Sequence, residues 1–122
     1  VVLLYFWASW CAPCIADFPA KTALAQRMGK RLAVLAVSVD ADKAAIERFM
    51  NRYGRAARGL DNFIVLHDPG KDIVQDVFHT LRLPETIIID PAMNMREKVA
   101  GAARDWVAPE TQSRLEALIP AP

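Results

Sequence analysis

The sequence predicts an α/β fold, a central mixed β-sheet with helices on both faces, and three observations predict it. Short continuous apolar runs rich in β-branched and aromatic residues, at Val1 to Trp7, Leu32 to Val39 and Thr86 to Asp90, read as strands buried on both faces. Segments with helical apolar spacing alternate with these runs. The chain then closes with a hairpin and a last helix, so parallel and antiparallel pairing share one sheet.

Taken in order, the first run is a central strand. Cys11 to Met28 reads as a helix with the stripe Ile15, Phe18, Leu24, Ala25 and Met28, a kink expected at Pro19 and a left-handed exit at Gly29. After the second strand, Asp40 or Asp42 can cap a helix whose stripe is Ala45, Ile46, Phe49, Met50 and Tyr53, ending at Gly54. Arg55 to Asn62 is polar and Gly-containing and reads as a loop, followed by a short strand, Phe63 to Leu66, and the turn His67-Asp68-Pro69-Gly70. Ile73, Val74, Val77, Phe78 and Leu81 mark a third amphipathic helix with Asp72, Gln75, Asp76, His79 and Arg82 on its wet side. Thr86 to Asp90, the connection Pro91 to Asn94 and the strand Met95 to Ala100 form the hairpin; Gly101 breaks it, and Pro109 opens the last helix through Leu115, Leu118 and Ile119.

There is no internal repeat and no linker, and 122 residues with 53% hydrophobic and 24% charged make a single domain, residues 1–122. A chain of this size buries about 65% of its unfolded surface, so its two cysteines are not needed to hold it together. Fifteen basic against fourteen acidic residues give a net charge of +1, which argues against a nucleic-acid partner or a basic membrane-surface patch. No apolar stretch approaches the roughly 20 residues of a membrane span. The sequence starts inside an apolar run without a methionine, so an upstream segment, a leader or an anchor, is expected.

Both cysteines fall in one motif, Cys11-Ala12-Pro13-Cys14, where a buried strand hands over to a helix. A spacing of three on a first helical turn brings two sulfurs within bonding reach. Cys11 meets the unpaired amides and positive end of the helix, which favour its thiolate and its nucleophilicity; Cys14, one turn inside, should be more buried. Pro13 has no amide hydrogen to lose there and stiffens the loop. Two unrelated core thiols are the bland alternative, and their coincidence in one C-x-x-C argues against it. A zinc site is disfavoured because no second ligand pair exists, and a peroxidase because no cysteine stands apart from this pair.

Phe6-Trp7-Ala8-Ser9-Trp10-Cys11-Ala12-Pro13-Cys14 resembles the active-site segment of the thioredoxin superfamily, and Leu83-Pro84-Glu85-Thr86-Ile87-Ile88-Ile89-Asp90 resembles its cis-proline loop and following strand. With Pro19 and Gly101, these resemble the TlpA/ResA/DsbE-like branch, extracytoplasmic and often membrane-tethered bacterial proteins that reduce disulfides, some in cytochrome c maturation. The resemblance covers nearly the whole chain. It implies a thioredoxin fold lacking the family's strands before Val1, with Cys11 attacking, Cys14 resolving and a cis Leu83–Pro84 bond beside them. It further implies protein disulfides as substrates, bound along Trp10, Pro13, Leu83 and Pro84, a membrane thiol-reductant as electron donor, a periplasmic or other extracytoplasmic location, and no cofactor or metal.

The chain departs from the pattern in places. Six positions before Cys11, where thioredoxins carry a buried aspartate, stands Tyr5, which removes the usual proton relay. Ile15 replaces the basic residue common after the second cysteine, and Asp17 a glutamate. The branch also places an acidic residue after the second strand, near Ala41; Asp40 and Asp42 flank that position, and both are read as caps. Trp7 is expected in the core and Trp10 on the active-site rim. His79 is expected to be solvated and His67 to sit at a turn; Arg55 and Arg58 are read as loop solubilisers.

The leading expectation is a protein-disulfide reductase. Alternatives are an isomerase or oxidase with the same motif, or a Cu(I) metallochaperone using the same thiols. The reducing direction rests on two electrostatic expectations: no lysine or arginine from Val1 to Ala20 to hold the Cys11 thiolate, and the carboxylate of Glu85, next to Pro84, opposing it.

Overall fold

Strand β1 (Val2–Trp7) is the middle of a five-stranded sheet ordered β3-β2-β1-β4-β5. β2 (Ala33–Ser38) pairs parallel with it and β3 (Phe63–His67) parallel with β2, while β4 (Glu85–Ile89) and β5 (Met95–Ala100) continue antiparallel on the other side. The computed structural model describes residues 1–121. Helix α1 (Ala12–Met28) links β1 to β2; α2 (Lys43–Tyr53) and the short α3 (Arg55–Arg58) link β2 to β3; α4 (Pro109–Glu116) follows β5. The mixed sheet with its connecting helices is the α/β architecture that the sequence predicts.

The register sorts side chains between the two faces, because paired residues point the same way and neighbours along a strand point opposite ways. Leu3, Tyr5 and Trp7 share a face with Val34, Ala36 and Ser38 of β2 and Phe63 of β3. Phe18 of α1 and Phe49 of α2 close on that face, with ring centroids 4.9 Å and 4.7 Å from Trp7 and 5.0 Å from each other. α4 approaches the same side, its leading loop placing Trp106 against Lys21 of α1. On the other face lie Leu4, Phe6, Leu35, Val37, Ile64, Leu66 and Ile87. Phe78 reaches Phe6 there at 5.6 Å, and Ile64 and Leu66 are each 44% exposed.

Four local expectations are corrected. The stretch from 55 to 62 is not all loop, since Arg55–Arg58 forms a helical turn that buries Ala57. Tyr53 is not in the buried stripe of α2 but 42% exposed, at the helix end. Asp42 caps α2 by accepting from the Ala44 amide at 2.9 Å, whereas Asp40 does not cap it. The third amphipathic helix is replaced by a π-helical turn, Asp72–Val77, in which the Phe78 amide reaches back to Ile73 O at 3.1 Å. With bonds five residues apart, a 3.6-residue spacing no longer gathers one side. Only Val74 of the expected stripe is buried, Phe78 is half-buried, and Ile73, Val77 and Leu81 are exposed.

Candidate active site

The site lies where β1 ends and α1 begins. Cys11 is the N-cap residue of α1 in extended conformation, its carbonyl already bonded to the Cys14 and Ile15 amides and its Sγ accepting from the Cys14 amide at 3.3 Å. Cys11 and Cys14 are joined as a disulfide with their Cα atoms 5.2 Å apart. Cys11 is slightly exposed and Cys14 fully buried, so of the two cysteines the first alone meets solvent. Pro13 sits in the first turn, and no acidic side chain stands there to oppose a thiolate.

Two sets of bonds fix this turn in place. Tyr5 donates its hydroxyl to the Cys14 carbonyl at 3.3 Å, tying β1 to the cysteine turn. Asp40, buried at the end of β2, accepts from the Ser9 amide at 2.9 Å, Ser9 Oγ at 2.5 Å and Ser38 Oγ at 2.6 Å. Its carboxylate therefore anchors the loop that carries Trp10 and Cys11, and this is its role in place of capping. His67 adds to the brace by donating Nε2 to the Asp40 carbonyl at 2.6 Å.

Behind the turn lies a buried ion pair. Lys21, fully buried, is paired with Asp17 one helical turn earlier, and its Nζ stands 4.1 Å from the Tyr5 ring and 4.3 Å from the Trp106 ring. Burial pulls the ammonium down to about 8 against the opposing pull of Asp17. Burial, and next to it the Asp17 charge, push the Tyr5 phenol well above its ordinary value, so at neutral pH the hydroxyl is a donor.

Facing Cys11 is a groove of about 490 Å³. Trp10, Ala12 and Pro13 form one wall with it; Lys71, Val74, Gln75, Thr80, Leu81, Arg82 and Leu83 form the other. Of the expected contact residues, Trp10, Pro13 and Leu83 line it. Pro84 is buried behind Leu83, its carbonyl accepting from Gly101 at 2.8 Å, and the Leu83–Pro84 bond is cis. Glu85 does not line the groove. It shares the Phe6 face of the sheet, away from α1, where its carboxylate accepts from Thr80 Oγ1 at 2.5 Å and meets Lys98 at 3.3 Å. Among the described residues no three His, Cys, Asp or Glu side chains cluster as a metal site; His79 is exposed and His67 is bonded to the Asp40 carbonyl.

The sequence reading missed Lys21, Lys71 and Arg82. Lys21 was findable, because Cys14, Phe18, Lys21, Ala25 and Met28 repeat at helical spacing and Asp17 stands four before it. Lys71 and Arg82 were not: counting cations near Cys11 along the chain overlooks those that another segment brings across the groove.

A model of the AhpC/TSA family matches residues 1–98. The chain is 33% identical over 102 residues to the thiol-disulfide oxidoreductase ResA of Oceanobacillus iheyensis, covering 83% of this chain and 50% of that protein. It is 31% identical over 101 residues to ResA of Bacillus subtilis, covering 82% and 52%. The chain thus spans about half the length of these relatives. A solved structure from Chlorobium tepidum, of a protein designated thiol:disulfide interchange protein DsbE, superposes with a TM-score of 0.73 at 26% identity, covering 97% of this chain and 76% of that one.

Proposed function

The chain belongs to the AhpC/TSA family, and from that premise we propose that it is a thiol-disulfide oxidoreductase that reduces protein disulfides by dithiol exchange at Cys11 and Cys14. The observation that carries this reading is the pairing itself: one sulfur at a groove, the other buried one turn behind it, both at a helix N-terminus. In the reduced protein the Cys11 thiolate attacks one sulfur of a substrate disulfide. A Cys11–substrate bond forms, the substrate S–S bond breaks, and the other substrate sulfur leaves as a thiolate. Cys14 then attacks Cys11 Sγ, closing the intramolecular disulfide and releasing the second thiol. Two electrons pass from the protein dithiol to the substrate, and a thiol-reductant donor, membrane-bound in keeping with the family resemblance, restores them. Trp10, Pro13 and Leu83 are the substrate contacts in this reading, with Pro84 shaping the Leu83 backbone from behind.

The reducing direction has one support at the sulfur: among the described residues the Cys14 amide is the sole hydrogen-bond donor to Cys11 Sγ. A thiolate with few hydrogen-bond donors goes with a low potential, and Lys71 and Arg82 across the groove pull the other way. Equilibration with glutathione buffers should give a potential below about −200 mV, and a value near −120 mV would make this protein an oxidant. The family resemblance supports an extracytoplasmic location and a place in cytochrome c maturation. Among the described residues no helix is long and apolar enough to cross a membrane.

Trapping tests the division of labour. Cys14→Ser should accumulate a mixed disulfide on Cys11, visible as an adduct by mass spectrometry and released by reductant. Cys11→Ser should lose exchange to the uncatalysed background and trap nothing. Equal trapping by both variants would overturn the assignment.

A further inference from the structure

We infer, building on the oxidoreductase reading, that the groove beside Cys11 selects acidic partners: polypeptide segments with carboxylates within a few residues of the reacting cysteine. The groove presents two cations, Lys71 and Arg82, and no acidic lining residue. Both cations are exposed, and among the described residues neither forms a salt bridge or a side-chain hydrogen bond.

Three acids of the surrounding elements, Asp68, Asp40 and Glu85, are engaged elsewhere. Asp68 accepts from the Asp72, Ile73 and Val74 amides at 3.0–3.1 Å. Asp40 is taken up by Ser9 and Ser38, and Glu85 by Thr80 and Lys98. Asp72 turns back toward Gly70, where an added Cβ would meet its carboxylate at 3.2 Å. An unneutralised pair of charges over an apolar wall is a surface that steers and orients an oppositely charged chain. The apolar part is equally open: Trp10 is 66% and Leu81 86% exposed. Among the described residues no hydrogen bond takes up the Leu83 amide or carbonyl, which leaves both for an extended partner strand. The occupant that satisfies all three features is an extended, acidic peptide with an apolar residue beside its cysteine.

Three nine-residue peptides test this, each with one cysteine carried as a mixed disulfide with 5-thio-2-nitrobenzoate and flanked by glutamates, glutamines or lysines. Reduced protein is mixed with each under single-turnover conditions, and release of the chromophore gives the rate constant. The glutamate peptide should react at least about fivefold faster than the lysine peptide at low salt, and the ratio should fall within about twofold at 0.5 M NaCl. Lys71→Gln with Arg82→Gln should remove the preference, and Lys71→Glu with Arg82→Glu should reverse it. Because the readout is a ratio, altered Cys11 reactivity cancels. All three peptides reacting within twofold at low salt would overturn the proposal and leave the oxidoreductase reading standing. If none reacts, that reading falls, and anisotropy of labelled cysteine-to-serine peptides with the oxidised protein decides the groove: at least about fivefold tighter binding of the glutamate peptide upholds acidic selection, and equal binding ends it.

Discussion

The two walls of the groove are built differently. The cysteine wall is bonded to the sheet from behind: Tyr5 holds the Cys14 carbonyl, Asp40 holds Ser9, and the Asp17–Lys21 pair with Trp106 fills the space below the first turn of α1. The facing wall, Lys71 to Leu83, is a π-helical turn between two non-glycine residues in left-handed conformation, Lys71 at φ 60° and His79 at φ 56°. It buries one side chain of the turn, Val74, and leaves Ile73, Val77 and Leu81 in solvent. Left-handed φ costs an L-residue about 1–2 kcal/mol. The contrast teaches a division of work for the proposed reaction: the sulfurs sit on the wall braced to the sheet from behind, and the proposed recognition falls to the wall that leaves its apolar side chains in solvent.

Substitutions can break that contrast, and the largest effect belongs behind the cysteine wall. Lys21→Met leaves the Asp17 carboxylate buried and unpaired and should cost about 3–5 kcal/mol in denaturant unfolding. Replacing both partners, Asp17→Leu with Lys21→Met, should recover most of that loss. The same pair gives a pH signature. Lys21 titrates near 8 in the folded protein against an ordinary 10.5, so between those values the unfolded chain binds a proton the native state has released, and stability rises with pH. Tyr5, pushed the other way, keeps its proton when folded and lowers stability above pH 10. The Tm of the oxidised protein should climb from about pH 8 to 10 and fall beyond it, while its difference from the double variant, which keeps Tyr5, should climb over the same window and then level off; a flat difference would contradict the placement of Lys21.

The next two substitutions compare the walls directly. Asp40→Ala removes a buried carboxylate from three donors and should cost about 1.5–3 kcal/mol while slowing exchange at Cys11, because the loop carrying it is released. Asp68→Ala removes the acceptor of three amides at the start of the π-helical turn and should cost about 0.5–2 kcal/mol, with its main kinetic effect on peptide KM. Should Asp68→Ala slow exchange with a small disulfide as much as Asp40→Ala does, the division of work would be wrong.

The smallest effect is expected at the groove rim. Leu81→Ser, at an 86% exposed position, should change stability by less than about 0.5 kcal/mol and raise KM for apolar peptides without moving kcat.

Much of this architecture was legible in the amino-acid order. Val1 to Trp7 announced a strand buried on both faces because every residue in it is apolar, and the C-x-x-C at its end announced the paired sulfurs because a helical turn returns the chain to itself in three to four residues. These are local properties, set by backbone geometry and burial within one segment. What the tertiary structure decided is of another kind. Asp40 looks like a cap in the sequence and becomes a brace because Ser9, 31 residues away, arrives with two donors. Glu85 is adjacent to Pro84 along the chain, yet strand alternation sends its carboxylate to the face where Thr80 and Lys98 wait. Lys71 and Arg82 are some sixty to seventy residues from Cys11 and reach its groove because the π-helical turn folds across the sheet end. Electrostatic partners are chosen by distance through space, and one chain's spacing reports distance only within a single element.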